Sequence, residues 1–361
     1  MGGIFTDLEN TLYGKHYKLY IPLLVVLLGV CLFVAFVFPG VKQGIDLRGG
    51  TMLIVRMDTP IDADSLETLL KDKFPLTDVR VTSTSAPGGV SGAVIEFTDN
   101  TELAIAEAAL AEAKALLAKD KQAAGEKAKE AIAATANYAP QPPTAGLPPE
   151  DLVELAGIIV PKAEEAFDLQ LQDFVKAEFS LGEEAAFQKR EVGPILGKTF
   201  YESAITVGII GFILITLVVF AFFREFIPAV AIIFAAVFDM AAALAGMAVF
   251  NISLSLSTIP ALLMLIGYSV DTDILLTTRL LKRVEGTPKG RAISAMKTGL
   301  TMTATALAAL VVMLFFSYIW QIMVMFEISA VILFGLLGDI IVTWSMNAAV
   351  LLWYVERKGG K

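Results

Sequence analysis

The chain has 361 residues, of which 56% are hydrophobic and only 18% charged, with a formal net charge of −9. This composition is too apolar for a soluble globular domain and indicates a membrane protein. The single cysteine, Cys31, excludes an intramolecular disulfide, and the single histidine, His16, argues against histidine-based catalysis and His-rich metal sites. We therefore predict no metal and no cofactor.

Six apolar stretches are long enough to cross a hydrocarbon layer of ~30 Å. The first, Leu19 to Pro39, is too long for a signal-peptide core and lacks a small-residue cleavage site, so we predict a retained helix. Five more follow a long polar segment, at 203–223, 226–250, 257–281, 298–319 and 326–354. These stretches predict three regions: residues 1–40 with the first helix, a polar domain at 41–198, and a five-helix bundle with its tail at 199–361.

Basic residues in the short connections set the expected orientation. Six Lys or Arg residues lie between Arg279 and Lys297, and three lie in the C-terminal tail. Such clusters stay in the cytoplasm, so both termini are predicted to be cytoplasmic and 41–198 extracytoplasmic. That segment holds 16 basic and 26 acidic residues, a net charge of −10. An acidic outer surface argues against a nucleic-acid partner.

Within the polar segment, alternating and β-branched residues predict four strands, Thr51–Met57, Val79–Ser83, Ala93–Thr98 and Phe187–Val192, with a turn at Pro87-Gly88-Gly89 between the second and third. A helix is predicted from Asp62 to Phe74, capped by Asp62 or Asp64. The pattern indicates an α+β, ferredoxin-like βαββαβ core.

The remaining helices are predicted around an Ala/Pro-rich insertion at about 102–149. Glu102 to about Ala136 is expected to be helical with a break near Gly125, followed by an extended Pro-rich linker to Pro149. Two shorter helices, Asp151–Gly157 and Lys162–Phe179, come next. Because the insertion shows no wide apolar face, we expect it to be dispensable for folding.

Four aspartates fall inside the predicted membrane helices. Asp271 lies near the estimated midplane of the bilayer, where insertion of a carboxylate costs about 2.5–3.5 kcal/mol. Asp273 lies nearer one interface and adds a similar cost. Gly267 and Asp271 share one helix face, from which Asp273 turns away. With Asp239 and Asp339 they are ion-coupling candidates, Asp271 being ranked first. The alternative is that these carboxyls only hydrogen-bond neighbouring helices together.

Three motifs resemble those of the SecD/SecF protein-export membrane proteins, in the resistance-nodulation-division superfamily, and the third resembles the archaeal SecF type. They are Gly44-Ile-Asp46-Leu-Arg-Gly49-Gly50 after the first span, Glu191-Val-Gly193-Pro194-Ile-Leu-Gly197 before the second, and Gly267-Tyr-Ser-Val-Asp271-Thr-Asp273 in the fourth.

The resemblance implies a bundle paired with a SecD partner in a pseudo-two-fold twelve-helix unit. It also implies work at the SecYE-type translocon on a translocating unfolded polypeptide, with bacterial members drawing on the proton gradient. Asp271 matches the acidic position of the SecD-type motif, whereas bacterial SecF motifs place it where this chain has Thr272. Phe238 replaces the family's His, and Thr301 stands at the position of the bacterial Arg.

Those replacements keep a second hypothesis open, that of a structural subunit that docks SecD to the translocon without coupling ions. A third, an intramembrane aspartyl protease, fits poorly. Leu336 stands where the protease Gly-x-Gly-Asp motif needs Gly, and Pro260-Ala-Leu precedes Gly338-Asp339 instead of following it. We therefore predict that the protein is not an enzyme.

Overall fold

A computed structural model describes residues 13–14, 17–57, 62–85, 91–179, 187–192, 194–283, 285–320 and 322–359. The predicted turn Pro87-Gly88-Gly89, Gly193 and His16 lie outside these ranges. The chain forms two compact units: Met1–Leu47 with Leu196–Lys361, and Arg48–Ile195.

The helices and strands follow in chain order. They are α1 (Tyr20–Phe36), α2 (Ile45–Arg48), β1 (Gly50–Met57), α3 (Ala63–Lys73), β2 (Arg80–Ser85), β3 (Ser91–Phe97), α4 (Thr101–Leu116), α5 (Lys121–Ala134), α6 (Pro149–Glu178), β4 (Phe187–Val192), α7 (Pro194–Phe223), α8 (Phe226–Val249), α9 (Thr258–Lys282), α10 (Pro288–Ile319), α11 (Met323–Ile341), a π-helical segment (Val342–Asn347) and α12 (Ala348–Gly359).

Six helices of the first unit are long and apolar enough to span a membrane. They cover Tyr17–Phe36, Gly197–Phe223, Phe226–Val249, Thr258–Lys282, Pro288–Ile319 and Met323–Lys358. The last combines α11, the π-helical segment and α12. The number and order of the predicted spans are confirmed, and the protein is a multi-pass membrane protein.

The second unit contains a four-stranded sheet in the order β2-β3-β1-β4, and every neighbouring pair is antiparallel. One helix, α3, connects β1 to β2, and three helices, α4 to α6, connect β3 to β4. Asp62 caps α3 by accepting the N–H of Asp64 at 3.2 Å, as predicted. The sheet buries Leu53 and Ile95 against apolar residues of α3 and α6.

The helices of the insertion differ from prediction in two places. The break lies at Asp120, whose side chain caps α5, and not at Gly125, where α5 continues against Pro149. The two helices predicted after the linker are one, because α6 runs through Pro161. Its residues before Pro161 pack on α4 and α5, and those after it pack on the sheet. We attribute the continuity of α6 to these two cores, which offset the hydrogen bond lost at Pro161.

The expectation that the insertion lacks an apolar face was wrong. Helices α4, α5 and the first half of α6 enclose a core of their own. It consists of Ala106, Ala109, Leu110, Ala113, Ala124, Ala128, Ala131, Ile132, Leu152, Val153, Ala156, Ile159 and Val160. Seven of these thirteen residues are alanine, whose small side chains let the helices approach closely.

Candidate functional site

The paired glycines of the first motif shape the start of β1. Gly49 and Gly50 have φ of +83° and +130°, and a Cβ on Gly50 would lie 2.5 Å from the carbonyl oxygen of Phe97. Position 50 therefore accepts only glycine, because any side chain would clash with Phe97 and strain the backbone. Gly50 pairs with Val192 and Thr51 with Glu191, so the first and second motifs meet side by side in the sheet.

In the membrane unit, the first motif contacts the segment that leads into α9. The N–H of Gly44 donates to the carbonyl of Leu254 at 2.8 Å. The Asp46 carboxylate, 3% exposed, accepts the N–H of Leu256 at 3.2 Å. These bonds fix the entry to the helix that carries the third motif. Gly193 lies outside the described residues, and Pro194 begins α7.

Helix α9 presents its two aspartates to different sides, as predicted, but the buried one is Asp273. Asp273 is fully buried inside the unit, whereas Asp271 is exposed. On the face shared by Gly267 and Asp271, no atom of the described residues lies within 4 Å of a Cβ built on Gly267, so no helix of the described part packs closely there. Close approach occurs instead on the other face of α9, where Leu265 packs over Gly335 of α11.

Three of the four predicted aspartates come together in a buried cluster between α8, α9 and α11: Asp239, Asp273 and Asp339 are each 0% exposed. Asp239 accepts a hydrogen bond from Ser269. Asp339 accepts one from Thr272 at 3.1 Å. The Thr343 hydroxyl lies 3.0 Å from Asp273 and 2.8 Å from Asp339, which links the two carboxyls. We call these three aspartates and their partners the aspartate cluster.

The cluster retains oxygen atoms with unused hydrogen-bonding capacity. Among the described residues, Oδ1 of Asp239, Oδ2 of Asp273 and Oδ1 of Asn347 are buried without a hydrogen-bond partner. The Asn347 amide donates to Asp273 through its nitrogen, which leaves its oxygen as an acceptor. Buried acceptors without donors are costly. Such oxygens bind protons and small hard cations. In the described part of the chain, no group of three or more acidic, His or Cys side chains is arranged to hold a metal ion.

Small residues and an irregular helix allow this packing. A Cβ on Gly338 would lie 2.7 Å from Cβ of Ala242 and 3.5 Å from Oδ1 of Asp239, so side chains of α8 pack directly against the backbone of α11 at Gly338. One turn later the chain widens into the π-helical segment, which carries Thr343 and Asn347. Single π-helical turns within α-helices are frequent at functional sites.

The prediction missed the four side chains that hydrogen-bond the cluster. Their signal was present in the sequence. Ser269, Thr272 and Asp273 lie at i, i+3 and i+4 on α9, and Asp339, Thr343 and Asn347 recur every four residues. Each set forms one polar stripe along a helix. A polar stripe in an apolar helix marks the face that packs on other helices.

The second unit has a separate acidic cavity of about 60 Å³ between the sheet and α4 and α6. Glu107 and Glu164 face each other there, and burial together with the Glu107 carboxyl raises the pKa of Glu164 to about 7. Lys189 approaches from β4 and pairs with Asp168 at 2.5 Å and Glu191 at 2.8 Å. This cavity was not predicted from the sequence.

Two family profiles match the chain. The profile described as "Protein export membrane protein SecD/SecF, C-terminal" covers residues 174–357, about half of the sequence. The profile of the SecD/SecF GG motif covers residues 34–61, which include Gly49 and Gly50.

Relatives named "Protein-export membrane protein SecF" occur in archaea. The protein of Methanothermobacter thermautotrophicus is 31% identical over 353 residues, 96% of each chain. That of Methanolacinia petrolearia is 48% identical over 171 residues, which cover 47% of this chain and 60% of the relative. That of Pyrococcus furiosus is 46% identical over 170 residues, 47% of this chain and 56% of the relative.

Solved structures show the same fold. The crystal structure of SecDF, a translocon-associated membrane protein from Thermus thermophilus, aligns with a TM-score of 0.56 at 18% identity. The alignment covers 94% of this chain and 38% of that one. A super-membrane-facing form of SecDF aligns with a TM-score of 0.50 over 96% of this chain and 39% of that one. With both profiles and the relative matched from end to end, the chain belongs to the SecD/SecF family of protein-export membrane proteins, which are not enzymes.

Proposed function

We propose that this chain acts as the SecF-type auxiliary subunit of a Sec translocase. In this role it pairs with a SecD-type chain and promotes export of unfolded polypeptides through a SecYE-type channel. Family membership supports the role. The solved SecDF chains are more than twice as long as the part that aligns here, which leaves room in the assembly for the SecD-type half.

The exposed face of α9 supports a partner inside the membrane. Among the described residues, Asp271 has no hydrogen-bond or ion-pair partner, and it lies beside Gly267 and the exposed Tyr268. A mid-membrane carboxylate facing lipid costs about 2.5–3.5 kcal/mol. A glycine next to it permits close approach of another helix. We propose that the SecD-type partner covers this face and contacts Asp271.

We further propose that the aspartate cluster couples export to an ion gradient. Its unpartnered buried oxygens carry this proposal, because a cluster that only held helices together would be expected to satisfy its acceptors. One elementary charge moving across the membrane potential supplies ~2.3 kcal/mol per 100 mV. The competing hypothesis is a docking subunit without coupling. On that hypothesis the contacts of the Thr343 hydroxyl with Asp273 and Asp339 serve only to hold α9 against α11.

Replacement of single carboxyls distinguishes these hypotheses. Asp273→Asn keeps the shape and the oxygen that accepts from Thr343 but removes titration. Export of a reporter precursor is measured at matched expression, with the membrane potential intact and collapsed. On the coupling hypothesis Asp273→Asn loses the potential-dependent part of export while still assembling with its partner. Export equal to that of the parent under both conditions would refute coupling through the cluster and favour docking.

Asp271→Asn is the matched comparison, since it changes the same charge two residues away on the exposed face. If Asp271 contacts the partner, this variant should weaken co-purification with the SecD-type chain. If Asp271→Asn alone abolishes potential-dependent export with assembly intact, the coupling residue is Asp271, as the sequence first suggested, and not the cluster.

The orientation also belongs to the proposal: both termini lie in the cytoplasm, and residues 41–198 form an extracytoplasmic, ferredoxin-like domain. Sheet order and antiparallel pairing support that fold, and the basic loop 279–297 supports the orientation. In a Cys31-free background, Ser83→Cys should react with an impermeant thiol reagent added outside, and Lys289→Cys should not. The reverse pattern would overturn the orientation.

A further inference from the structure

A cleft lined by three arginines lies where α9 ends and α10 begins. It has a volume of about 200 Å³ and is bounded by Arg279, Arg283 and Arg291, with Glu285, Gly286, Gly290 and Ser294 completing the wall. At ~30 Å³ per water molecule the cleft has room for about seven waters. A phosphate group and part of its substituent fit in that space.

The positive charge of this cleft is not neutralised by the chain itself. Among the described residues, no carboxylate lies within 4.0 Å of the guanidinium groups of Arg279, Arg283 or Arg291, and the single acidic residue of the wall is Glu285. Three like charges around one cleft repel each other unless an anion binds between them.

Hydrogen bonds hold two of the arginines in place. Arg279 donates to the Ser294 hydroxyl at 2.9 Å and to the Thr298 hydroxyl at 2.8 Å. Arg291 donates to the carbonyl of Arg283, and its Nε is buried without an acceptor. The N–H of Gly290 is already capped by Thr287. Anion binding would therefore rest on the guanidinium groups and not on the start of α10.

We propose that this arginine cleft binds a phosphate group, either the head group of an anionic phospholipid or a free phosphate. Guanidinium groups pair with phosphate oxygens in bidentate fashion. Basic pockets between membrane helices near the surface of the bilayer bind phosphorylated lipid head groups. Arg279 belongs to the last turn of a spanning helix, which places the cleft at the depth of those head groups. The inference does not depend on ion coupling or on the SecD-type partner.

Three variants of the full chain, purified in uncharged detergent, test the proposal. Arg283→Gln removes an exposed charge that lines the cleft. Lys282→Gln is the matched control, because it removes the same charge one residue earlier, where the ammonium lies 4.1 Å from the Phe222 ring and outside the cleft wall. Glu285→Gln removes the acidic group of the wall. The apparent Kd is measured from the shift in thermal unfolding midpoint with phosphatidylglycerol, phosphatidylcholine and inorganic phosphate in turn.

Arg283→Gln should weaken binding of the anionic probe by about fivefold, the factor that corresponds to an exposed charge pair of about 1 kcal/mol. Glu285→Gln should tighten it, and Lys282→Gln should leave it unchanged. Binding of phosphatidylglycerol without inorganic phosphate assigns a lipid site, and competition by inorganic phosphate assigns a free phosphate site. If Arg283→Gln and Lys282→Gln weaken binding equally, the protein attracts anions only diffusely. If neither variant changes binding, the cleft does not bind the anion. Either result would show that the proposal is wrong.

Discussion

Substitution of Gly338 by alanine tests whether close packing of α8 on α11 builds the aspartate cluster. The added Cβ would lie 2.7 Å from Cβ of Ala242, whereas carbon atoms in contact prefer about 3.5–4.0 Å. The helices must therefore separate by nearly 1 Å, and overpacking of this kind costs about 1–3 kcal/mol. Ala242 cannot rotate away, because its methyl group is fixed to the backbone.

The matched control is Gly267→Ala, where no atom of the described part of the chain lies within 4 Å of the added methyl group. Both changes gain the same helix propensity, about 1 kcal/mol, so that contribution cancels in the comparison. Gly338→Ala should therefore unfold at least about 2 °C below Gly267→Ala in detergent. It should also lower potential-dependent export, since the separation moves Asp239 away from Asp339. Equal unfolding temperatures for the two variants would refute the close contact between Ala242 and Gly338.

Three further predictions concern other parts of the chain. Gly267→Leu should not lower the unfolding temperature of the isolated chain, since leucine has a higher helix propensity than glycine, but it should reduce co-purification with a SecD-type partner at least tenfold, because it blocks close approach at the exposed face. As pH rises from about 4.5 to about 7, the free energy of unfolding of the second unit should fall by about 1 kcal/mol, since the folded state holds the Glu164 proton more tightly than the unfolded chain. Glu164 is partly exposed, and solvent screening keeps this loss below the value that the full pKa shift would give. Glu164→Gln should abolish the difference in urea midpoint between pH 5 and pH 8. Replacement of residues 102–149 by a Gly/Ser linker should produce a protein that elutes as aggregates in size-exclusion chromatography, because the deletion exposes the apolar face of α6. Burial of each leucine or isoleucine side chain on that face contributes about 1.5–3 kcal/mol. A monodisperse product would show that the insertion is dispensable for folding.

The strands of the second unit were predictable because their alternating and β-branched residues favour extended backbone. Alternating and β-branched residues located both ends of β4, β1 within one residue, and β2 and β3 within two residues. The insertion was misjudged because its buried face is built largely from alanine, which is also the commonest residue on solvated helices. Pattern alone could not separate the two, since the contacts that bury those alanines come from another helix.

Inside the membrane, the pattern of apolar and polar residues gives less information about which helix face is buried. Apolar residues face both lipid and neighbouring helices, so hydrophobicity did not show which side of α9 is buried. The ranking of Asp271 over Asp273 rested on its estimated depth, its match to the family's acidic position and the Gly267 face. Among the described residues, nothing lies within 4 Å of a Cβ built on Gly267. The polar stripe through Ser269 and Asp273 pointed to the opposite face. Asp339 was predicted as a candidate, but its connection to Asp273 through Thr343 depends on tertiary packing.

The chain order of the aspartate cluster has a consequence for biosynthesis. Asp273 receives its hydrogen bonds from Thr343 and Asn347, which lie 70 and 74 residues downstream. At 5–20 residues per second, the ribosome needs about 4–15 s to make them after Asp273 itself has been added. During that delay α9 would have to stay beside water or an insertion factor, because a carboxylate without partners is costly in lipid. The fourth span therefore acquires the hydrogen bonds of its buried carboxylate only after the last helix has been made.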